Sequence, residues 1–538
     1  MTQKRIVALF GTFLAAFGVV MGRLFLLAQN TTYAQTAREQ TVTTLALEPQ
    51  RGNLYDCKGS CLTSYGTRYF ALSIPGESSY AELFHYVPYS SQTLLYEKRN
   101  ALAPFLIEVD RDLTDKGIYT YTVPGRYFPT PVAEHLIGYL DGEGHGVAGL
   151  EAAFDELLSQ NRPASYVQCS TTAQGTLLEG TEPELITEQK DSQGVMLTLD
   201  GAMQRACEGV AASTIKKGCI LVLDTATAKV RASVSLPAFD PEAVEKSIRA
   251  QDTSLLNRAF CQFNVGSVFK PVLAAAALEK GLDWYSIECE GYVDVNGQVY
   301  RCALSRAHGL VNLKSALEKS CNSFFIELGL KLGGKAILSE AEAFGFGQPT
   351  YLAGGLKSAA GTLPSAETVQ DIGQLANFSF GQGQLTATPL QMAAAMNVIA
   401  SDGQYRTPAF LEGVVDEAGR QVEQTLYEPQ VRRAISTNTA AALRSMLAGV
   451  VEEGIGKEAA PEYGAAGGKT GTAQTGVKNQ EDVELMNYWF AGFWPAEAPR
   501  YTIVILQDGI TEPEVSSAAV FAKVCNALYW LQEPAENS

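Results

Sequence analysis

The sequence predicts a mixed α/β protein of the α+β kind: an N-terminal transmembrane helix, a first domain outside the membrane, and a large C-terminal domain built from a sheet and helices. Three observations carry this. Residues 6–22 and 24–28 form an apolar run of about 23 residues broken only by Arg23, long enough for a helix to cross a bilayer. Between about residues 161 and 194 the composition turns polar and rich in Glu, Thr and Gln, which marks a connecting ribbon and a boundary near 190. From Gly194 onward, strand-like and helix-like runs alternate to the end of the chain.

Taken in order, residues 1–5 form a short tail whose Lys4 and Arg5 should stay in the cytoplasm. Residues 6–28 are the anchor, with Arg23 placed to snorkel toward the far interface. A cleaved signal peptide would carry an apolar core of about 7–15 residues ending in an Ala-x-Ala-like site. This run is longer and has no such site, so an uncleaved anchor in the cell membrane is expected, with everything beyond it on the extracellular side. Residues 29–190 make the first domain, in which "GVAGLEAAFDELL" reads as a short helix. Residues 191–538 make the second. Its "GVMLTLD" reads as a strand, "GAMQRACEGVAASTIKK" as a helix, and "GCILVLDTATAKVRASVSLP" as two strands joined by a turn at residues 225–229. Residues 313–329 and 389–400 read as helices, "NYWFAGFWP" and "RYTIVILQDG" as neighbouring strands, and 515–531 as a closing helix. There is no internal repeat.

A chain of 538 residues with 46% hydrophobic content can bury substantial cores. A net charge of −17 argues against nucleic acid as a partner, since phosphate neutralisation needs a basic face. Ten cysteines in an exported chain are candidates for disulfides. Cys289 and Cys302 flank "VDVNGQVY", a hairpin expected to turn at Asn296-Gly297, which makes them diagonal neighbours; Cys57 and Cys61 flank "KGS" and could meet across a turn. Free thiols are the alternative for both pairs.

The stretch "FNVGSVFKPVLAAAALEKG" puts Ser267 and Lys270 at the head of an apolar segment. A serine hydroxyl is a weak nucleophile near neutral pH and needs a base within reach, and three-residue spacing on a helix supplies one on the same face. Ser-x-x-Lys alone is a weak signal, and "STIK" (residues 213–216) is a second copy, but it sits at the charged end of a helix and reads as a solvated terminus. Ser267 instead follows Gly266 and enters an apolar run, where helix dipole and backbone N–H groups favour an oxyanion. Two more elements follow in order: Ser320-Cys321-Asn322, and Lys469-Thr470-Gly471-Thr472. Ser-x-Asn also occurs at residues 159–161 and 436–438, whereas Lys-Thr-Gly occurs once, with glycines that suit a strand edge approached by another backbone.

The ordered set Ser-x-x-Lys, Ser-x-Asn, Lys-Thr-Gly is a signature of penicillin-binding proteins and serine β-lactamases. The chain resembles the class B penicillin-binding proteins, the monofunctional D,D-transpeptidases of the bacterial wall, from the anchor to the C-terminus. "RGNLYDCKG" is similar to that family's Arg-Gly-x-Ile-x-Asp-Arg-x-Gly, "RYFPTPVAEHLIGY" to its Arg-x-Tyr-Pro segment, and "GVAGLEAAFD" to its Gly-x-x-Gly-x-Glu. "FGQGQLTATPLQMAAAMNVIASDG" and "WFAGFWP" are similarly close. Two departures are Cys57, where the family has arginine, and Cys321 in the middle of Ser-x-Asn, which leaves a thiol at the rim of the site.

The resemblance implies an elongated non-catalytic pedestal and a β-lactamase-like domain with an antiparallel sheet covered by helices on both faces. It implies that Ser267 attacks a D-alanyl-D-alanine stem peptide, with Lys270 as base, made neutral by burial beside the positive Lys469. Ser320 would relay the proton and Asn322 hold the substrate amide. Lys469, Thr470 and Thr472 would bind the terminal carboxylate, Gly471 lying between them, and the N–H groups of Ser267 and Thr472 would form the oxyanion hole. Implied partners are peptidoglycan stem peptides, β-lactams as covalent inhibitors, and a membrane-embedded glycan polymerase with division or elongation proteins. No cofactor or metal is implied. The four histidines include His308, which has no second His, Cys or carboxylate at ligand spacing close by and reads as structural or groove-lining. A β-lactamase or a membrane β-lactam sensor are the competing readings; the first normally lacks an anchor with a separate domain, and the second needs further membrane helices.

Overall fold

The computed structural model describes residues 2–29, 42–47, 50–74, 79–101, 103–160, 164–172, 176–178, 181–188, 192–416, 419–424 and 429–532. Residues 2–28 form one continuous helix, Thr2–Ala28, whose apolar side chains are exposed among the described residues. Among the described residues it is the one helix long and apolar enough to cross a membrane.

The chain divides into two compact units. The first comprises residues 1–51, 65–126 and 161–191. In it, strand Thr67–Ser73 pairs antiparallel with Phe105–Val109 and Thr120–Pro124, and Leu83 and Leu95 from two short helices, with Val87 between them, close over Phe105, Ile107 and Val109. The polar stretch expected as a linker contains two strands of a second sheet: Ala164–Ser170 pairs with Val42–Ala46 on one side and with Glu184–Glu188 on the other. Low hydrophobicity misled because this three-stranded sheet buries little beyond Val167 and Cys169.

The second unit takes residues 52–64 and 127–160 as well as everything from 192. The division at 190 alone therefore misses two segments. The reason is pairing and burial: Leu54–Tyr55 runs parallel to Gly194–Leu197, the Asp56 carboxylate accepts from the N–H of Gly201, and Leu136, Ile137 and Leu150 are buried in the same core as Leu197 and Leu221. Residues 52–56 of the "RGNLYD" stretch thus brace the second unit.

The centre of this unit is a five-stranded, wholly antiparallel sheet in the spatial order Val230–Leu236, Gly218–Asp224, Tyr501–Ile510, Glu484–Trp494, Gly467–Lys478. Its inner strands read as unbroken apolar runs because both faces are covered. Ile220, Val222, Ile503, Ile505 and Phe490 face helices Gly201–Thr214 and Ser517–Trp530. Leu221, Leu223, Val504, Leu506 and Ala491 face the other side, where Lys270–Glu279, Pro389–Ala400 and Thr437–Glu452 contribute to the larger core. Strict alternation between two apolar layers is the period-2 consequence of the pleat. Pro389–Ala400 is buried at every residue, so its composition is apolar all round.

Two local expectations need correction. Residues 313–329 are not one helix: Leu313–Glu318 and Asn322–Leu332 are separate, with Ser320 between them in a left-handed conformation (φ 51°). The hairpin does turn at Asn296-Gly297, both at positive φ, and Val295 faces Gln298 across it. Yet Cys289 and Cys302 are not disulfide-bonded, their sulfurs lying 3.8 Å apart, and Cys57 and Cys61 form no disulfide either.

Candidate active site

Ser267 lies in a short 3₁₀ turn, Gly266–Phe269, that runs directly into helix Lys270–Glu279, with Pro271 in its first turn where no N–H partner is lost. The turn is wedged into the fold. Strand Phe263–Asn264 pairs with Thr386–Ala387, the Trp489 indole N–H donates to the Asn264 carbonyl at 2.9 Å, and the Gly266 N–H donates to Gly381 at 2.8 Å. Gly266 has φ 64°, and a Cβ there would stand 2.6 Å from the Thr472 carbonyl oxygen. Glycine is needed both for the backbone angle and for this approach. On the facing strand the close approach alone calls for glycine: a Cβ at Gly471 would meet Val268 at 2.8 Å. The Lys469–Thr472 stretch therefore runs along the turn that carries Ser267, on the outermost strand of the sheet, whose free edge can accept an added strand.

Lys270 and Lys469 are both fully buried. The Lys270 ammonium donates to the Ser320 carbonyl at 2.9 Å, the Ser320 hydroxyl at 3.0 Å and the Asn322 amide oxygen at 2.7 Å. The helix break puts Ser320 within reach: Cys321 caps the second helix with its sulfur accepting from the Phe324 N–H, and the left-handed Ser320 turns both its carbonyl and its hydroxyl to one amine. Burial pushes Lys270 down to about 7 from an ordinary value near 10.5, with Cys321 and Cys302 pulling the other way. Those two thiols are themselves linked, Cys302 held low by a hydrogen bond from Cys321, which rises in consequence.

The expectation that burial lowers Lys270 holds. Burial is what lowers Lys270, and Lys469 is pushed well below the ordinary lysine range by its own burial first and the charge of Lys270 second. Its amine has Thr470 as partner, through the carbonyl at 3.1 Å and the hydroxyl at 3.4 Å. An anion delivered here would meet an amine held short of counter-charge, which is what a carboxylate-binding group requires. Asn322 is also more committed than expected: its oxygen takes Lys270 and its nitrogen donates to the Arg301 carbonyl at 3.0 Å, leaving one N–H for a ligand.

The decoys separate cleanly. The Ser213 hydroxyl bonds back to carbonyls of its own helix, Lys216 pairs with Glu514 at the surface, and Ser436 caps helix Thr437–Glu452.

With Ser267, Lys270, Ser320, Asn322 and the Lys469–Thr472 edge gathered in one place, comparison with known proteins becomes decisive. Residues 218–526 match the family described as Penicillin binding protein transpeptidase domain. The chain belongs to the penicillin-binding protein transpeptidase family. Stage V sporulation protein D of Bacillus subtilis is 30% identical over 407 residues, 73% of this chain and 61% of that protein's length. Penicillin-binding protein PbpB of Mycolicibacterium smegmatis is 30% identical over 479 residues, 82% of this chain and 69% of that protein. A solved chain from a peptidoglycan synthase complex, in work on the coordination of polymerization and crosslinking, superposes with TM-score 0.70 at 24% identity, covering 99% of this chain and 100% of that one. The D,D-transpeptidase domain of a peptidoglycan glycosyltransferase from Eggerthella lenta superposes with TM-score 0.66 at 22% identity, over 90% and 99%. These two share the penicillin-binding transpeptidase fold with this chain.

One feature of this family member escaped the sequence reading. His308 does have ligand-type neighbours: Cys289, Cys302 and Cys321 converge on it, with all four donor atoms within 4.8 Å of one another. Spacings of 13, 6 and 13 residues hid the cluster, because strand pairing rather than chain proximity assembles it.

Proposed function

We propose that this protein is a membrane-anchored serine D,D-transpeptidase that cross-links peptidoglycan stem peptides through an acyl-enzyme on Ser267. The observation that carries the reading is the buried Lys270 amine, lowered to about 7 and shared between Ser320 and Asn322 one helical turn from Ser267. Two of its three partners, the Ser320 carbonyl and the Asn322 amide oxygen, can only accept. Once Lys270 is neutral it has two N–H groups for those two, and its lone pair receives the Ser320 hydroxyl. The proton of Ser267 then leaves through Ser320 to Lys270 as the Ser267 oxygen attacks the D-alanyl-D-alanine carbonyl, and the same path returns it to the departing D-alanine amine. The amine of a second stem peptide takes the acyl group. N–H groups of Ser267 and Thr472 hold the oxyanion, each such donor being worth about 3–4 kcal/mol in related chemistry. Lys469, Thr470 and Thr472 hold the terminal carboxylate, and Asn322 gives its remaining N–H to the substrate amide.

The helix Thr2–Ala28 serves as an uncleaved anchor with the catalytic unit on the extracellular side, where stem peptides are. A membrane-embedded glycan polymerase supplies the strands to be joined. Both stem peptides and β-lactams are ligands of the same serine, since the strained lactam imitates the scissile amide.

The test is labelling with a fluorescent penicillin. Wild-type protein is expected to retain the label on Ser267, Ser267→Ala to lose it, and Ser213→Ala to keep it. Label mapped to another residue would overturn the assignment, and rapid release of hydrolysed penicillin would make the protein a β-lactamase instead.

A further inference from the structure

We propose that Cys289, Cys302, His308 and Cys321 bind one zinc ion that pins the Ser320-Cys321-Asn322 turn against the neighbouring hairpin. Three cysteines and one histidine are a recurrent donor set of structural zinc, tetrahedral and closed to solvent chemistry. The spacing fits the ion. Zinc–sulfur bonds near 2.3 Å in a tetrahedron put two sulfurs about 3.8 Å apart. Cys289 to Cys302 and Cys302 to Cys321 are each 3.8 Å, and Cys289 Sγ to His308 Nδ1 is 3.4 Å. A disulfide would bring two sulfurs to about 2.05 Å, which no pair in the cluster approaches, and three thiols cannot all pair among themselves.

The surroundings suit thiolates. Each sulfur faces one donor outside the cluster: the Gly291 N–H to Cys289 at 3.4 Å, the Ser323 hydroxyl to Cys302 at 3.3 Å, and the Phe324 N–H to Cys321 at 3.4 Å. Such outer donors orient ligands and offset thiolate charge. The three sulfurs belong to buried residues, while His308 is half-buried and lines an open surface cleft with Arg306, Lys319 and Glu453, which gives the ion a way in. On binding, the three thiol protons pass to solvent and no electrons move.

The ligands come from four places that matter to the site. Cys289 ends strand Ser286–Cys289, and His308 lies just before its partner strand Gly309–Asn312. Cys302 follows Arg301, whose carbonyl holds the Asn322 amide, and Cys321 stands between Ser320 and Asn322. The ion therefore clamps both sides of the turn that presents the relay hydroxyl to Lys270. It touches no reacting atom in this arrangement; its role is positioning.

The experiment uses the full-length chain extracted in detergent and purified without chelator. Elemental analysis is expected to find about one zinc per chain. Exchange with cobalt(II) should give the absorption of a tetrahedral site with sulfur-to-metal charge transfer. His308→Ala, at the half-buried ligand, should keep the melting transition and lose zinc affinity by at least about tenfold. Zinc content below about one-tenth per chain, with the three cysteines freely alkylated or disulfide-bonded, would overturn the site. The positioning part rests on the proposed function: removal of zinc should slow penicillin acylation, with recovery on adding zinc but not magnesium. An unchanged rate overturns that part alone. Metal content is read independently of acylation, so failure of the transpeptidase reading and failure of the metal site are distinguishable.

Discussion

Acylation of Ser267 should rise with pH and level off just above neutrality, because the group that takes its proton is a lysine displaced to about 7. A group whose value falls from near 10.5 to about 7 is biased toward its neutral form by about 5 kcal/mol. The sign follows directly: below pH 7 Lys270 is protonated and has no lone pair to offer, and above it the amine is neutral and competent. About one-tenth of the enzyme is competent at pH 6 and about nine-tenths at pH 8, so the rate constant should climb roughly tenfold between them and then stay nearly flat. An unshifted lysine would leave roughly 0.3% neutral at pH 8, about 300-fold less, and its rate would keep rising tenfold per pH step through pH 9. The assay is stopped-flow acylation by a fluorescent penicillin that carries no ionising group in the range, from pH 5.5 to 9.5, with the native fold checked at each end by circular dichroism. A log-linear rise through pH 9 without a plateau would refute the argument, since it would place the proton acceptor outside the buried Ser320–Lys270–Asn322 cluster.

Other outcomes follow from the same geometry. Lys270→Arg cannot deprotonate and should slow acylation by at least about 1,000-fold, whereas Lys469→Arg keeps an anion-binding charge and should retain part of the activity; comparable rates for the two, in equally folded proteins, would remove Lys270 from its role. Gly471→Ala forces a methyl into Val268 at 2.8 Å and should push the Lys469–Thr472 edge away from Ser267, lowering acylation by at least tenfold while costing about 1–3 kcal/mol in urea unfolding. Arg258, buried and bonded to Asp508 at 3.0 Å and to the Thr253 carbonyl at 3.0 Å, should cost about 3–5 kcal/mol when replaced by alanine, read from the unfolding midpoint, because Asp508 is left with Lys217 alone among the ion pairs described.

Much of the site was legible in the sequence because its groups sit inside contiguous motifs. Ser267 and Lys270 are three residues apart, so any helical start brings them together, and the apolar run behind them sinks that start in a core. The antiparallel neighbours 484–494 and 501–510 announce themselves as apolar runs near the end of the chain, and the Asn296-Gly297 turn is set by two residues that tolerate positive φ. What stayed hidden depends on contacts between segments far apart in the chain. That residues 52–64 and 127–160 belong to the second unit is decided by pairing with strand 194–197 and by shared burial, which no local composition records. The break at Ser320 goes against a continuous helical pattern, and there the left-handed serine turns its carbonyl and its hydroxyl to the buried Lys270 amine. That both lysines are lowered was not legible, because spacing says nothing about depth, and depth is what strips each amine of water. The Cys289, Cys302, His308 and Cys321 cluster is the extreme case: the sequence alone determined that these four side chains carry soft donors, and only the tertiary fold, by pairing 286–289 with 309–312 and turning 321 back toward 302, decided that they share one centre.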